Sequence, residues 1–274
     1  DVKTVIMELR TGEQFTGTHH ETFAPREEQK KAVEHTWAYY QSRWNEDPNA
    51  VPRFLWNAKM RFGKTLSALE VIKRNKFKKT IILTHRPVVD ASWHEDYNKI
   101  FWDEEYYYCS RGTQESKIEK HIKKNDSFLF FASIQNLRGS EAVGGNFDKN
   151  SVVFKTNWDL VIIDEAHEGT RTSLGDEVLK EVIKENTYGK TKQIYLSGTP
   201  FNLVRDFEDD EVFTWDYVME QKAKADWDVI HALDSNPYEG LPKLGIFTYD
   251  IANAIPNYED IEEKANKNMM PQRT

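Results

Sequence analysis

The chain has 274 residues, 39% hydrophobic and 30% charged, with a formal net charge of −8, which suits a polar but foldable globular protein of one large domain, or one domain with an extension. The charge excludes a uniformly basic nucleic-acid binder, though not a local basic strip. The single cysteine, Cys109, excludes an internal disulfide and a metal-ligand cluster, and fits a reducing, cytoplasmic setting. No apolar run approaches the ~18 residues of a membrane span and no signal peptide is visible, so no membrane partner is expected.

Residues 1–22 hold a strand-like run, Thr4-Val5-Ile6-Met7, and a polar loop with Gly12, Gly17 and a solvated pair, His19-His20. The chain starts at Asp1, and this stretch reads as the tail of something upstream in a longer protein. Phe23-Ala24-Pro25-Arg26-Glu27-Glu28-Gln29 opens the domain proper: Pro25 suits a helix start, and Glu27 and Glu28 suit its positive end. Val33, Trp37, Tyr40 and Trp44 recur at helical spacing and predict a core-facing stripe. Gln29, just ahead of the stretch that follows, carries an amide able to read an adenine edge or equally to serve the fold.

After a polar loop, Asn45 to Pro52, the apolar run Arg53 to Ala58 predicts a buried strand. Leu66, Leu69 and Ile72 then recur at helical spacing. The intervening Ala58-Lys59-Met60-Arg61-Phe62-Gly63-Lys64-Thr65 therefore joins a strand to a helix, where backbone N–H groups and the positive helix end converge on one spot, as a polyphosphate requires. Gly63 permits close approach, Lys64 reaches the β- and γ-phosphates, and the Thr65 hydroxyl can ligate Mg²⁺. Ala58 stands where the usual pattern has its first glycine, so the loop is expected to start from a different backbone angle.

Lys73 to Lys79 is strongly basic and reads as a solvated helix end. Thr80 to Thr84 predicts a buried strand ending at His85-Arg86-Pro87, a polar-basic turn placed for a phosphate-backbone contact. Val88 to about Ile100 predicts a helix with Trp93 and Tyr97 packed inward; Tyr106 to Cys109 a strand; Gln114 to Lys124 a helix with Ile118 and Ile122 inward; and Ser127 to Ala132 another strand. Ser133, Gln135 and Arg138 follow that strand, before a glycine-rich loop from Gly139 to Asn150.

Asp159-Leu160-Val161-Ile162-Ile163 has the continuous β-branched character of a central parallel strand, and it delivers Asp164 and Glu165 at its carboxyl end. Asp164 can hold Mg²⁺ directly or through water, and Glu165 can orient and deprotonate an attacking water. A helix with Leu174, Val178, Leu179, Val182 and Ile183 inward comes next, then a strand from Lys192 to Leu196 ending in Ser197-Gly198-Thr199-Pro200. Asp206 to Glu211 is acidic, Val212 to Ile230 is predicted helical, Leu244 to Tyr249 is a candidate final strand, and the tail from Glu259 to Lys267 is charged.

Six strands alternating with helices predict an α/β fold, a parallel sheet with helices on both faces. The expected division is an upstream tail over 1–22, an ATPase lobe over 23–205 and an extension over 206–274. Every polar set named above lies at a strand's carboxyl end, which points to one composite site. The nucleotide-binding set is Arg26, Gln29, Ala58, Arg61, Gly63, Lys64 and Thr65, with ATP and Mg²⁺ as cofactors. His85, Arg86, Ser133, Gln135 and Arg138 are candidates for a nucleic-acid track, although each taken singly could instead cap a helix or stay solvated.

In this order the motifs resemble those of superfamily 2 helicases and translocases, over about residues 23–205. Phe23 to Gln29 looks like the adenine-recognition motif, Ala58 to Thr65 like motif I, and His85-Arg86-Pro87 like motif Ia. Ser133-Ile134-Gln135 sits at the next DNA-contact motif, Asp164-Glu165-Ala166-His167 matches motif II letter for letter, and Ser197 to Pro200 looks like motif III. Within that superfamily the flavour is similar to that of the motor subunits of type I and type III restriction enzymes. The resemblance implies a P-loop, RecA-like lobe of an ATP-driven translocase acting on double-stranded DNA and linked to an endonuclease. It also implies Lys64, Asp164, Glu165 and His167 in catalysis, Thr65 and Asp164 on the metal, and Ser197 and Thr199 with His167 coupling ATP to DNA. The family motor has a second lobe that supplies an arginine finger; residues 206–274 are too few for another domain of about 100–150 residues, so that lobe and any nuclease domain are expected elsewhere in the parent protein. Two other readings stay open: an RNA helicase or remodeller lobe, and a nucleotide-gated interaction module whose partner meets the acidic segment Asp206 to Glu211.

Overall fold

The computed structural model describes residues 23–146, 150–167, 173–184, 190–231 and 234–241. The apolar runs form β1 (Arg53–Ala58), β2 (Lys79–Thr84), β3 (Tyr106–Cys109), β4 (Ser127–Ser133), β5 (Leu160–Asp164) and β6 (Lys192–Ser197), and β7 (Val212–Trp215) completes the sheet. Between them run helices α1 (Glu27–Glu46), α2 (Lys64–Asn75), α3 (Asp90–Ile100), α4 (Glu115–Lys124), α5 (Ile134–Leu137), α6 (Ser151–Lys155), α7 (Ser173–Ile183) and α8 (Tyr217–Ile230). The strands lie in the order β3-β4-β2-β5-β6-β1-β7, and every neighbouring pair is parallel.

Alternate residues of each strand feed two separate cores, one on each face, so both faces must be apolar and the strands read as near-continuous hydrophobic runs. On one face Phe54, Trp56, Ile82, Leu129, Phe131, Leu160, Ile162, Ile194 and Leu196 pack under α1, α2 and α3. On the other, Leu55, Ile81, Leu83, Phe128, Phe130, Val161 and Ile163 pack under α4 to α7, whose Ile118, Leu137, Val153 and Val178 are buried. The stripe on α1 is core as expected: Val33 and Tyr40 are buried, and Trp37 and Trp44 are partly so. Two buried side chains are hydrogen-bonded across elements. The Tyr40 hydroxyl donates to the Gln193 carbonyl at 2.8 Å and the Trp56 indole N–H to Thr36 Oγ1 at 2.8 Å.

One element differs from the expectation. Val212 to Ile230 is not one helix. Its first four residues, Val-Phe-Thr-Trp, are β-branched and aromatic and pair in parallel with β1, Ala58 opposite Trp215. Asp216 then caps α8, its side chain accepting from the Met219 N–H at 2.8 Å. Thus the segment after residue 205 contributes an edge strand and a helix to the sheet's own body. The chain divides into two compact units, residues 1–237 and 238–274; of the second, residues 238–241 are described and form a turn. The expectations for residues 1–22, for Leu244 to Tyr249 and for the charged tail fall outside the described residues.

Parallel register brings the carboxyl ends of the strands to one edge. Thr84 sits opposite both Asp164 and Ser133, and Asn57 opposite Ser197. Lys73 and Arg74, by contrast, belong to the end of α2 and are neutralised locally. Lys73 pairs with Asp103 at 2.6 Å and Arg74 with Glu70 at 2.9 Å. Both cations lie in the last turn of α2, as a helix end predicts, but Lys73 is held in ion pairs rather than solvated.

Candidate active site

The loop between β1 and α2 holds its shape without the first glycine. Ala58 is the last residue of β1, fully buried, and the backbone stays extended through it because Lys59 continues the ladder, its N–H donating to the Trp215 carbonyl at 3.0 Å. The turn is made later, by left-handed residues at Arg61 (φ 67°) and Gly63 (φ 88°). At Gly63 the glycine is required twice over, since a Cβ there would also lie 2.5 Å from Gln29 Nε2. Arg61 is not a glycine and carries the cost of its backbone angle, a pattern characteristic of ligand-binding turns.

Arg26 and Gln29 brace this loop from α1. Arg26 Nη2 and Gln29 Nε2 both donate to the Phe62 carbonyl, at 2.8 and 2.7 Å, while the Arg26 N–H donates to Gln29 Oε1 at 2.7 Å. The Gln29 amide is buried, and two of its groups are committed to the loop and the helix start. It retains one further N–H, so its position next to the loop is established through protein contacts first.

Lys64 is the first residue of α2, and its ammonium donates to the loop's own carbonyls, Ala58 at 2.8 Å and Lys59 at 3.4 Å. Burial pushes its pKa down, and the nearby Glu165 and Asp164 only partly offset this. Asp164, at the end of β5, shows the mirror image. Burial pushes its carboxyl up, opposed by hydrogen bonds from the Trp93 indole N–H to Oδ2 at 3.0 Å and from the Glu165 N–H to Oδ1 at 3.0 Å. Burial works against the charged form of each group, and an anion beside Lys64 and a cation beside Asp164 would each favour it. Those are the charges of a metal–polyphosphate. The Thr65 hydroxyl and Asp164 are the side chains that the motifs offer as ligands, and among the described residues no group of three or more His, Cys, Asp or Glu could hold a metal by itself. That set fits Mg²⁺, which keeps waters and phosphate oxygens and takes few protein ligands.

Glu165 follows in a left-handed conformation, φ 50°, which turns its side chain out of the strand direction. His167 Nδ1 lies 3.5 Å from Glu165 Oε2 and 2.9 Å from Ser197 Oγ, at the end of β6, and Ser197 Oγ also accepts the Thr199 N–H at 3.2 Å. Since β6 lies between β5 and β1, this chain of contacts runs from the carboxylates toward the β1–α2 loop. Gly198 stands over Lys64, where a Cβ would be 3.6 Å from Nζ.

The nucleic-acid candidates lie on the same edge, after β2 and β4. Arg86 and Gln135 are exposed, while His85 and Arg138 are half-buried. The Ser133 hydroxyl is committed to a cap, accepting the Asn136 N–H at 3.2 Å. Sequence reasoning missed Trp93, read as packing only. It is buried at 1% exposure, yet its N–H reaches a carboxylate seventy-one residues away in sequence. A tryptophan inside an amphipathic helix gives no sign of that; only the register of β2 beside β5 brings α3 over Asp164.

The chain spans 39% of the length of one relative, a Mycoplasma pneumoniae protein provisionally named a type II restriction enzyme and methyltransferase, C-terminal part, with which it is 29% identical over 92% of its own length. Among solved structures it is similar to the Sulfolobus solfataricus SWI2/SNF2 ATPase core in complex with dsDNA (18% identity, TM-score 0.48, 73% of this chain and 37% of that one). Two others are the UvsW helicase of bacteriophage T4 (13%, 0.45, 72% and 62%) and a hypothetical ATP-dependent RNA helicase of Sulfolobus tokodaii (14%, 0.48, 81% and 59%). None of these three bears on what this chain binds. The profile of one family matches residues 22–202, which contain the β1–α2 loop, the Asp164-Glu165 pair and Ser197. The chain belongs to the family described as type III restriction enzyme, res subunit.

Proposed function

We propose that this chain is the ATP-hydrolysing motor lobe of a restriction enzyme subunit that moves on double-stranded DNA. The observation that carries this reading is the electrostatic and hydrogen-bonded continuity of the sheet edge, where Lys64 interacts with Asp164 and Glu165, and His167 beside them bonds Ser197. In this reading Lys64 leaves the Ala58 and Lys59 carbonyls and takes the phosphates, while Gly63 lets the backbone amides approach them. Thr65 and Asp164 would hold Mg²⁺, which would supply charge neutralisation on the phosphoryl oxygens. Glu165 orients a water and takes its proton, and His167 conveys the state of that carboxylate to Ser197. Arg86 and Gln135, exposed on the same edge, meet the nucleic-acid backbone. Turnover is assigned to the whole protein, where a second lobe supplies an arginine and a nuclease domain uses the motion.

Two expected results check parts of this. Trp93→Phe keeps a ring in the core but deletes the N–H held by Asp164. A hydrogen bond to a charged group contributes about 1.5–3 kcal/mol, so a looser Asp164 should raise the Mg²⁺ concentration needed for tight ATP binding by roughly tenfold, read by titrating nucleotide at fixed Mg²⁺ levels. An unchanged Mg²⁺ requirement would leave Trp93 as a packing residue. For the nucleic acid, competition between duplex DNA and RNA of the same sequence should favour duplex DNA, with affinity falling as salt rises because phosphate contacts release counterions. Preference for RNA would instead make this an RNA helicase or remodeller lobe.

A further inference from the structure

Glu220 lies outside the segment the family profile covers, in the first turn of α8, and it is fully buried. A carboxylate is costly to bury, and buried charges are retained where they are paired. Its partner is Lys59, whose ammonium lies 2.5 Å from Oε1 and faces the Tyr217 ring at 5.6 Å. Its other oxygen, Oε2, has no hydrogen-bond partner among the described residues, so the contact with Lys59 is what holds this side chain.

Lys59 is the residue at which the loop leaves the sheet, ahead of the turn at Arg61 and Gly63. Its N–H is held by the Trp215 carbonyl, its side chain by Glu220, and its own carbonyl together with that of Ala58 receives the Lys64 ammonium. Both outer holds come from one short stretch, residues 215–220, whose geometry is fixed by the cap at Asp216. Because Ala58 keeps the strand extended, the loop has no glycine hinge at its start. The anchoring of Lys59 therefore decides where the left-handed turn at Arg61 and Gly63 begins.

We propose that Glu220 is a positioning residue for nucleotide binding, acting through Lys59, and that β7 and α8 are thereby part of the nucleotide site. This rests on the reading of the loop as an ATP site. The test is a double-mutant cycle in the whole protein, with Mg-ATP affinity measured well below each variant's unfolding temperature. Glu220→Gln and Lys59→Met should each weaken binding about tenfold, and the double variant should be no weaker than either alone, because both remove the same contact. Lys59→Arg should recover most of the affinity, while Glu34→Gln, at an exposed pair with Arg74 4.0 Å away, should change nothing. If Glu220→Gln lowers the unfolding temperature but leaves affinity within twofold, Glu220 only supports the fold and the proposal falls. Additive losses would also overturn it, as they would place the two residues in separate roles. If Glu220→Gln does not fold, Lys59→Met against Lys59→Arg decides alone: equal affinities overturn the proposal. Wild-type protein that binds no nucleotide would overturn the ATP-site reading itself.

Discussion

Glu165→Gln is expected to leave Mg-ATP affinity within about twofold and to reduce turnover by roughly 10²–10⁴, the usual contribution of a positioned base. The substitution keeps the shape and one hydrogen-bonding oxygen but removes the proton acceptor. Glu165 is not one of the loop's braces: its N–H bonds Asp164, and its side chain faces His167 at 3.5 Å. Binding energy should therefore survive while chemistry fails. Turnover and affinity must be measured on the same preparation. Equal losses in both would mean that Glu165 holds the nucleotide, and retained turnover would mean that another group takes the proton.

Lys64→Ala is expected to weaken Mg-ATP binding by roughly 10- to 150-fold, the equivalent of about 1.5–3 kcal/mol for hydrogen bonds made to a charged group. Its ammonium is partly buried, with a pKa held down by that burial, and it rests on two loop carbonyls. Removing it takes away a poorly compensated buried charge, so folding stability should change little or rise while nucleotide affinity falls. That opposite movement separates a ligand-binding lysine from a structural one. Calorimetric titration alongside thermal unfolding gives both, and unchanged affinity would remove Lys64 from the site.

Much of this was legible in the sequence for a physical reason. A parallel sheet buried on both faces must be written as apolar runs, so Leu160 to Ile163 could be placed without ambiguity, and Asp164 and Glu165 had to fall at its carboxyl end. The phosphate loop was legible because its chemistry needs Gly63, Lys64 and Thr65 in sequence. What escaped detection depended on register between distant strands. Val212 to Trp215 runs straight into the helix that follows and reads as part of it, and pairing with β1 is what makes it a strand. The Trp93 bond to Asp164 and the Glu220 pair with Lys59 follow from the same cause. Gln29 could be seen to lie near the loop, but not that its amide would first be spent on the Phe62 carbonyl and the Arg26 N–H. Ser133 was placed correctly at a strand's end, where its hydroxyl serves the following helix.

The most direct test of a DNA-driven motor lobe is ATP turnover by the whole protein with and without duplex DNA, with Glu165→Gln as the control. Strong stimulation by duplex DNA, lost in the variant, is the predicted result. Turnover that is indifferent to DNA, or that persists in the Glu165→Gln protein, would contradict it.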